Sequence, residues 1–406
     1  MKQKSKTVLK LVFANLAIFF ICLISIEGIG QIYYVLHPQY EQSCDILDKK
    51  LGWKRSPNCN FTATGGQYNS EFKTKIFINS HGFRDKERTL VKPKNTIRIA
   101  FLGDSMVEAL QVPFENTAPQ ILEKKLNAMN SPKSSPNYEV LNFGVGNFGL
   151  GQMLLTYKNI ASKFDPDFVL VFVNEYLMER SIEYQLNEKL INQNRYHSHR
   201  PIFELERAKE SFFKLLSALN SGQTSFFQSL QSVKLKWRPS KEFENDGKAE
   251  RLIQGIPEST KETREKRKLF LSELITNLKM NLKPYIKNEK FKIMKETDNS
   301  WQNRTRLFIN FKILDQFSDS SLDPKKIILL DSSKYYNQTL DRSILSIFLK
   351  SFSQYKGYSY LDITEPLLDA EKNGTRIRWK GDPHFNEQGH KFFGEELFTT
   401  LKDHLN

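Results

Sequence analysis

Three short apolar segments, separated by stretches with helical spacing, limit what this chain can fold into. The segments cover residues 97–102, 138–143 and 168–173, and the third reads Phe-Val-Leu-Val-Phe-Val. Parallel strands that are buried on both faces have this continuous apolar character, and strand–helix–strand units cross over in the right-handed sense. The pattern predicts an α/β domain with a parallel sheet, to which residues 326–330 and 357–361 add two more strands.

Helical patterns lie between and after these strands. They cover residues 117–129, 153–164, 305–317, 344–355 and 387–401. Helices that connect parallel strands cover both faces of the sheet. We therefore expect one layer of strands between two layers of helices.

A membrane segment is predicted at the N-terminus. Residues 1–10 form a basic tail with four lysines, and residues 11–36 are mostly apolar with a single charged residue, Glu27. A run of about 20 apolar residues spans a bilayer, and flanking lysines mark the cytoplasmic side. The segment predicts a single-pass anchor with a cytoplasmic N-terminus, and the rest of the chain in the periplasm or outside the cell. A cleaved signal peptide is the alternative, although no small-residue cleavage site follows Ile26.

The rest of the chain divides into four parts. Residues 37–94 form a juxtamembrane lead-in with little periodicity, residues 95–180 the first half of the α/β domain, and residues 301–406 the second half. Between the halves, residues 181–300 lose the strand rhythm and predict an inserted helical subdomain. Because the insertion leaves the sheet at the carboxyl end of a strand, it is interpreted either as a lid over a ligand site or as a packing or partner-docking surface. The helices predicted within it cover residues 203–219 and 262–282.

The composition excludes several classes of protein. The formal net charge is +14, but the lysines are scattered and no nucleic-acid-binding motif accompanies them, so we expect no nucleic-acid partner. Cys22 lies in the membrane segment, whereas Cys44 and Cys59 form either a disulfide in an oxidising compartment or two inert thiols. No cysteine or histidine spacing typical of zinc is present, and the pair His197 and His199 lacks a nearby carboxylate. We expect no metal and no cofactor.

A serine stands where the first apolar strand ends. Gly103, Asp104 and Ser105 follow that strand, so the Ser105 hydroxyl lies at a helix N-terminus, where backbone N–H groups stabilise developing negative charge. Taken alone, such a serine is more typical of a structural helix N-cap. Near the C-terminus, however, Asp382 and His384 supply the carboxylate and imidazole that nucleophilic acyl chemistry requires. Residues two apart in an extended or turn segment can face the same side, so these two can meet.

Five sequence blocks carry a resemblance to a known family. They read NSHGFRD at 79–85, FLGDS at 101–105, NFGVGNFG at 142–149, FVLVFVN at 168–174 and DPHFNEQGH at 382–390. In order and spacing they resemble the SGNH/GDSL-type esterases and acyltransferases, in particular the membrane-anchored members. The resemblance covers about residues 78–174 and 305–401 and leaves the insertion out. It implies a flavodoxin-like three-layer αβα sandwich with a five-stranded parallel sheet.

The resemblance implies catalytic roles for three residues. Ser105 is the nucleophile, His384 the general base that takes its proton, and Asp382 the carboxylate that orients the imidazole. The family usually spaces the last two as Asp-x-x-His, whereas this chain has Asp-x-His, a variant associated with relatives that act on polysaccharides. The implied mechanism passes through an acyl-enzyme and uses no cofactor.

The resemblance also implies an oxyanion hole. Its donors are the backbone N–H of Ser105, an N–H from the glycine block and the side chain of Asn174. In the glycine block, Asn147 occupies the position where a glycine usually supplies this N–H, with Gly146 one residue earlier. Asparagine tolerates the left-handed backbone better than most residues, so both residues are candidate donors. Asn174 is followed by Glu175 where the family commonly has Gly-x-Asn-Asp, and a strand-end turn residue is the alternative reading of this asparagine.

Together these patterns predict a membrane-anchored serine esterase or O-acyltransferase that works outside the cytoplasm. The location and the Asp-x-His spacing favour an exported carbohydrate bearing O-acyl groups, whereas a lipid or small ester suits the chemistry alone. Hydrolysis and transfer use the same residues and differ in whether water or a sugar hydroxyl reaches the acyl-enzyme. The alternative is a catalytically idle SGNH-like domain that binds polysaccharide or an assembly partner through residues 181–300.

Overall fold

A computed structural model describes most of the chain outside the insertion. The described residues are 2–36, 44–66, 71–129, 136–181, 199–240, 301–319, 322–332, 342–402 and 404. Internal contacts divide the chain into two compact units. One unit comprises residues 1–41 and 255–291, and the other comprises residues 42–254 and 292–406.

The first unit contains one long helix, α1 (Lys2–Leu36). Within it, the stretch Val12–Gly30 is long and apolar enough to cross a membrane, and no other helix in the described part of the chain meets this description. A membrane anchor and a signal sequence share this length and composition. The predicted basic tail and apolar segment therefore belong to a single continuous helix.

The second unit alternates strands and helices along the chain. Its elements are β1 (Asp45–Asp48), β2 (Gly52–Arg55), β3 (Asn60–Gly65), β4 (Phe72–Phe77), β5 (Thr96–Gly103), α2 (Ser105–Glu108), α3 (Ala118–Met129), β6 (Asn137–Gly144), α4 (Leu150–Asn159), β7 (Phe168–Val173), α5 (Glu175–Arg180), β8 (Ile202–Leu205), α6 (Ala208–Asn220), α7 (Gln223–Ser232), β9 (Leu235–Arg238), α8 (Trp301–Asp315), β10 (Ile327–Asp331), α9 (Arg342–Lys356), β11 (Ser359–Asp362), α10 (Thr364–Lys372) and α11 (Glu387–Leu401). The five predicted sheet strands correspond to β5, β6, β7, β10 and β11.

A five-stranded parallel sheet forms the centre of this unit, in the order β11–β10–β7–β5–β6. All neighbouring strands run parallel, and Leu102 of β5 lies beside both Phe143 of β6 and Val171 of β7. The chain steps from β5 to β6, returns past β5 to β7, and continues to β10 and β11. The winding therefore reverses between β5 and β7, and ligands of open α/β sheets bind at the carboxyl ends of the strands at such a point. The predicted α/β fold with a five-stranded parallel sheet is confirmed.

Helices cover both faces of the sheet, because right-handed crossovers place α3 on one face and α4 on the other. Helix α3 packs against α11, and α4 packs against α8. Between these layers the strands are apolar on both sides, and Ile99, Leu170 and Ile328 have no exposed surface. Burial of apolar surface is the main favourable term in folding. The sheet is thus a firm base for the loops that leave its carboxyl edge.

The juxtamembrane lead-in contains more regular structure than its sequence predicts. Strands β1 and β2 form one antiparallel hairpin, and β3 and β4 form another. A disulfide joins Cys44, just before β1, to Cys59, just before β3, which decides between the two alternatives that the sequence left open. Trp53 of β2 is buried, and its ring meets Phe148 edge to face. The first hairpin is therefore part of the main hydrophobic core.

The described part of the insertion contains helices and also one antiparallel pair of short strands, where the sequence predicts a helical subdomain. The sequence predicts a helix over 203–219, but Ile202–Leu205 is a strand paired with β9, and helix α6 begins only at Ala208. The strand sequence Ile-Phe-Glu-Leu buries all but its glutamate, and its pairing with a segment about 30 residues away overrides the local helical spacing. The helix predicted over 262–282 lies outside the described residues.

Candidate active site

Ser105 begins the short helix α2, and Asp104 separates it from the end of strand β5, which lies between β6 and β7 in the sheet. The preceding Asp104 caps this helix, since its Oδ1 accepts the Met106 N–H at 3.0 Å. The other carboxylate oxygen of Asp104 pairs with Nη1 of Arg180 at 2.7 Å. Asp104 therefore braces the turn and leaves Ser105 at the carboxyl edge of the sheet.

The fold brings His384 and Asp382 to this serine from 279 residues away along the chain. The His384 Nε2 atom lies 2.7 Å from Ser105 Oγ, and Nδ1 lies 2.5 Å from Oδ1 of Asp382. The same Asp382 oxygen accepts the backbone N–H of His384 at 2.8 Å. The three side chains thus form one continuous chain of hydrogen bonds, despite the short Asp-x-His spacing.

The charge of Asp382 determines the tautomer of His384. Burial alone raises the pKa of Asp382, but the hydrogen bonds and positive charge that His384 offers outweigh it and hold the pKa below its ordinary value of 3.8. An ionised carboxylate only accepts hydrogen bonds, so the proton of a neutral His384 ring is assigned to Nδ1. The ring then presents Nε2 as an acceptor for the hydroxyl proton of Ser105, which is the protonation state that a general base requires.

Asn386 holds the base of the loop that carries this pair. Its Nδ2 donates to the carbonyl oxygens of Arg376 and Arg378, at 2.9 and 3.2 Å. Its Oδ1 accepts the Gly389 N–H at 2.9 Å and caps α11. The terminal block therefore combines the hydrogen-bonded pair Asp382 and His384 with the cap of the last helix.

The glycine block packs directly against helix α2. Asn142 donates from Nδ2 to the Val107 carbonyl at 3.0 Å and accepts the Gly144 N–H on Oδ1 at 2.9 Å. A Cβ atom on Gly144 would lie 2.5 Å from the backbone nitrogen of Glu108. Glycine is required there because the two backbones approach too closely for a side chain.

The two candidate donors in the glycine block differ in their surroundings. The Gly146 N–H donates to Oε2 of Glu108 at 2.7 Å, so in this structure it is turned to a carboxylate. Asn147 has the left-handed backbone that the sequence predicts, with φ of 68°. Trp53 Nε1 holds the Gly146 carbonyl at 3.2 Å, and Arg200 Nη2 holds the Asn147 carbonyl at 2.7 Å. The C=O and N–H of a trans peptide point in opposite directions, so the Trp53 contact turns the Asn147 N–H away from Trp53.

Asn174 follows β7 at the same level as Ser105 follows β5. Leu102 and Val171 are paired, and each of the two polar residues lies three positions beyond its member of that pair. Asn174 is buried, and its Oδ1 accepts the Leu177 N–H at 3.0 Å. The amide therefore also caps the helix after β7, and its Nδ2 is the atom that would have to meet an oxyanion.

A buried ion pair behind the nucleophile was not found by sequence reasoning. Arg55 contacts Glu108 with Nε at 2.6 Å and Nη2 at 2.9 Å, and it reaches Asp45 with Nη1 at 2.6 Å. Glu108 has no exposed surface. Through Arg55 the first lead-in hairpin is joined to the helix that carries Ser105, and through Gly146 the same carboxylate holds the glycine block. Nothing in the sequence pairs residues 53 positions apart.

The block at 79–85 contributes a second buried arginine. Arg84 donates to the carbonyl oxygens of Glu108 and Ala109, and to that of Val112 at 2.5 Å. These carbonyls lie at the end of α2 and just after it, where the chain turns at Ala109 with φ of 60°. Burial lowers the pKa of Arg84 to about 10, so the side chain stays charged at neutral pH. The resemblance located this block but did not predict that it fastens the end of the nucleophile helix.

Metal ligands are not gathered in the part of the chain that the structure describes. No group of three or more histidine, cysteine, aspartate or glutamate side chains with the spacing of a metal site occurs there. The second residue of the predicted histidine pair, His199, lies in this part, whereas His197 lies outside it.

Three solved structures illustrate what the chain is similar to. A gut microbial diltiazem-metabolizing enzyme is 12% identical with a TM-score of 0.35, and the match covers 77% of this chain and 49% of that enzyme. A lipase/acylhydrolase from Enterococcus faecalis is 11% identical with a TM-score of 0.35, and the match covers 76% of this chain and 96% of that protein. A lipolytic protein of the G-D-S-L family from Veillonella parvula is 11% identical with a TM-score of 0.34, and the match covers 76% of this chain and 98% of that protein. The chain spans about half the length of the first of these.

No protein-family model matches the chain, and no curated protein matches it. The similar structures include lipolytic proteins of the G-D-S-L family and acylhydrolases, the family that the sequence blocks resemble. Similarity at these TM-scores identifies neither substrate nor reaction. The chemistry is therefore inferred from the site itself.

Proposed function

We propose that this chain is a serine hydrolase of ester bonds, with Ser105 as the nucleophile. One observation carries the proposal: the hydrogen-bonded series Ser105, His384 and Asp382 at the carboxyl edge of the sheet. A serine, a base that accepts its proton and a carboxylate that orients the base are the parts of an acyl-transfer site. They meet where open α/β sheets bind ligands.

The proposed reaction has two stages. Ser105 Oγ attacks the carbonyl carbon of the ester while its proton moves to Nε2 of His384. The Ser105 N–H, the Asn174 side chain and the Asn147 N–H are the proposed donors to the oxyanion. His384 then protonates the leaving alcohol, and the acyl group remains on Ser105. Water or a hydroxyl group, deprotonated by His384, releases the acyl group in the second stage.

The proposed location is the outer side of a membrane, with α1 as the anchor. The length and composition of Val12–Gly30 suit a bilayer span, and the lysines before it suit the cytoplasmic side. The Cys44–Cys59 disulfide supports an oxidising compartment for the domain that follows. There an exported carbohydrate with O-acyl groups is the proposed substrate, and either hydrolysis or transfer to another hydroxyl completes the cycle.

Hydrolysis of p-nitrophenyl acetate by the full chain in detergent tests the proposed chemistry. We expect Ser105→Ala to reduce the rate to background, because no other group replaces the nucleophile. Ser162→Ala is the control, since Ser162 is exposed and donates only locally to Lys158. Wild-type rates in Ser105→Ala would exclude the mechanism. If neither protein hydrolyses this ester, acetyl transfer to oligosaccharides distinguishes a strict transferase from an idle domain that binds polysaccharide.

Alkaline extraction of membranes tests the anchor. We expect the full chain to stay in the membrane pellet, and a variant with arginine at both Phe19 and Ile21 to be released. Each arginine near the centre of a span costs about 2.5–3.5 kcal/mol on insertion scales. Loss of the first 30 or so residues from the mature protein would show a cleaved signal peptide instead.

A further inference from the structure

We propose that Glu71 is a positioning residue for the loop that carries Asp382 and His384. The inference rests on the proposed function, because it assigns Glu71 a role in the same site. Glu71 comes from the second lead-in hairpin, directly before β4, and lies 310 residues before Gly381, its partner in that loop.

The carboxylate of Glu71 accepts hydrogen bonds from two consecutive backbone N–H groups of this loop. Its Oε1 accepts the backbone N–H of Lys380 at 3.0 Å, and its Oε2 accepts that of Gly381 at 2.7 Å. Further along the loop, the backbone N–H of His384 donates to Asp382. Hydrogen bonds to an ionised carboxylate are shorter and stronger than neutral ones. Glu71 therefore fixes the backbone immediately before the residue that orients His384.

The neighbouring side chain reinforces this contact. The ring of Phe72 lies 5.4 Å from the ring of Trp379, which is the loop residue before Lys380. Two glycines of the hairpin make room: a Cβ on Gly65 would lie 2.5 Å from the Phe72 ring, and one on Gly66 would lie 2.3 Å from Oε2 of Glu71. The hairpin is thus shaped to present both residues to the loop.

The loop has further anchors: within it the Trp379 N–H donates to the His384 carbonyl at 3.3 Å, and others lie at its base. Asn386 bonds the carbonyls of Arg376 and Arg378, and its N–H bonds the Ile377 carbonyl at 3.0 Å. These contacts hold the two strands of the loop where they leave the domain. Glu71 differs from these hydrogen-bonding anchors, because it comes from the lead-in and bonds the backbone of the two residues before Asp382. A displacement of about 1 Å at a reacting group can cost about 100-fold in rate, so such an anchor affects catalysis without touching substrate.

Steady-state kinetics of the full chain on p-nitrophenyl acetate test the role. We expect Glu71→Ala to lower kcat about 10- to 100-fold with KM nearly unchanged, because ester binding does not involve Glu71. Glu71→Gln should fall between Ala and wild type, since a glutamine keeps one acceptor oxygen but turns an NH2 group to the second N–H. Glu87→Ala is the control: Glu87 also accepts a backbone N–H in the lead-in, from Ser80 at 2.7 Å, but bonds no loop residue.

Hydrogen exchange of the peptide spanning residues 379–384 supplies a readout independent of activity. We expect faster exchange there in Glu71→Ala and unchanged exchange in Glu87→Ala. Unchanged exchange in both variants, or faster exchange with an unchanged kcat, would overturn the positioning role. Equal hydrolysis by wild type and Ser105→Ala would instead overturn the proposed hydrolase, and the exchange result would still decide whether Glu71 holds the loop.

Discussion

Asp382 touches His384 twice, once at the ring and once at the backbone. An asparagine keeps the shape of the side chain but no longer requires Nδ1 to carry the proton, so Nε2 can lose its role as acceptor. We expect Asp382→Asn to lower kcat on p-nitrophenyl acetate roughly 10⁴-fold. Asp369→Asn provides the control, because Asp369 is an exposed partner of Lys372. A similar small effect in both variants would argue against the orienting role.

We expect Glu108 to stabilise the contact between helix α2, which begins with Ser105, and the first lead-in hairpin. Glu108 is fully buried, and removal of its charge takes a buried carboxylate partner away from Arg55. Breaking a buried ion pair leaves an uncompensated charge, so we expect Glu108→Gln to lower the free energy of unfolding by about 3 kcal/mol in urea titrations. Glu395→Gln should cost about 1 kcal/mol or less, since Glu395 and Lys125 form a largely exposed pair. Equal midpoints for the two variants would refute this role.

The residues of the proposed triad could be predicted at this scale, whereas the residues that hold them in place could not. Ser105, Asp382 and His384 lie in short blocks whose residue types fit one chemistry. Arg55 and Glu71 are ordinary charged residues in segments without periodicity, and only their tertiary partners reveal what they hold. A backbone N–H can serve as an oxyanion donor only if it points towards the substrate, and the sequence does not give this direction. In the structure the Gly146 N–H points to Glu108.

At the scale of elements, the close contact between β6 and α2 determines the shape of the site. An alanine at Gly144 would place a methyl group 2.5 Å from the Glu108 backbone nitrogen. We expect Gly144→Ala to lower the free energy of unfolding by about 1–3 kcal/mol, as overpacking does, and to reduce kcat as α2 moves. Gly28→Ala is the control, because a Cβ there meets nothing within 4 Å. Unchanged stability and rate in Gly144→Ala would show that the two elements can separate freely.

The elements of the sheet were the easiest to predict. β7 is predicted to the residue, since a strand buried on both faces is apolar throughout and needs no partner to be recognised. The four lead-in strands and β8 are only four to six residues long. β7 has only six residues itself, but unlike β7 these segments are not apolar throughout, so their strand pairing decides their structure rather than a local pattern.

At the scale of the whole molecule, buried His390 couples folding to pH. Burial, with the charges of Arg84 and His384, lowers its pKa from 6.5 to about 3. Between these values the unfolded chain binds a proton that the folded chain does not, so this contribution to stability is lost as pH falls below 6.5. Asp85 acts in the opposite sense, because burial raises its pKa to about 6.

Urea unfolding at pH 6.5 and pH 5 measures how much His390 contributes to the pH dependence of stability. As the pH falls from 6.5 to 5, we expect the free energy of unfolding to decrease by about 2 kcal/mol more in wild type than in His390→Gln. Uptake of one proton on unfolding changes this free energy by about 1.4 kcal/mol for each pH unit. Asp85 is present in both proteins and cancels from the difference. Identical pH dependence would show that His390 takes up its proton in the folded state.

The sequence by itself determined the α/β class, the strands of the sheet, the apolar N-terminal helix and the residues of the proposed triad. These follow from local patterns, because burial on both faces, helical spacing and reactive residue types can each be recognised in a short window. The tertiary structure alone decided the Cys44–Cys59 pairing, the Arg55–Glu108 ion pair and the contact of Glu71 with the loop that carries Asp382 and His384. Each joins segments through side-chain geometry, and a hydrogen bond or disulfide forms only where the folded backbone brings its atoms within reach.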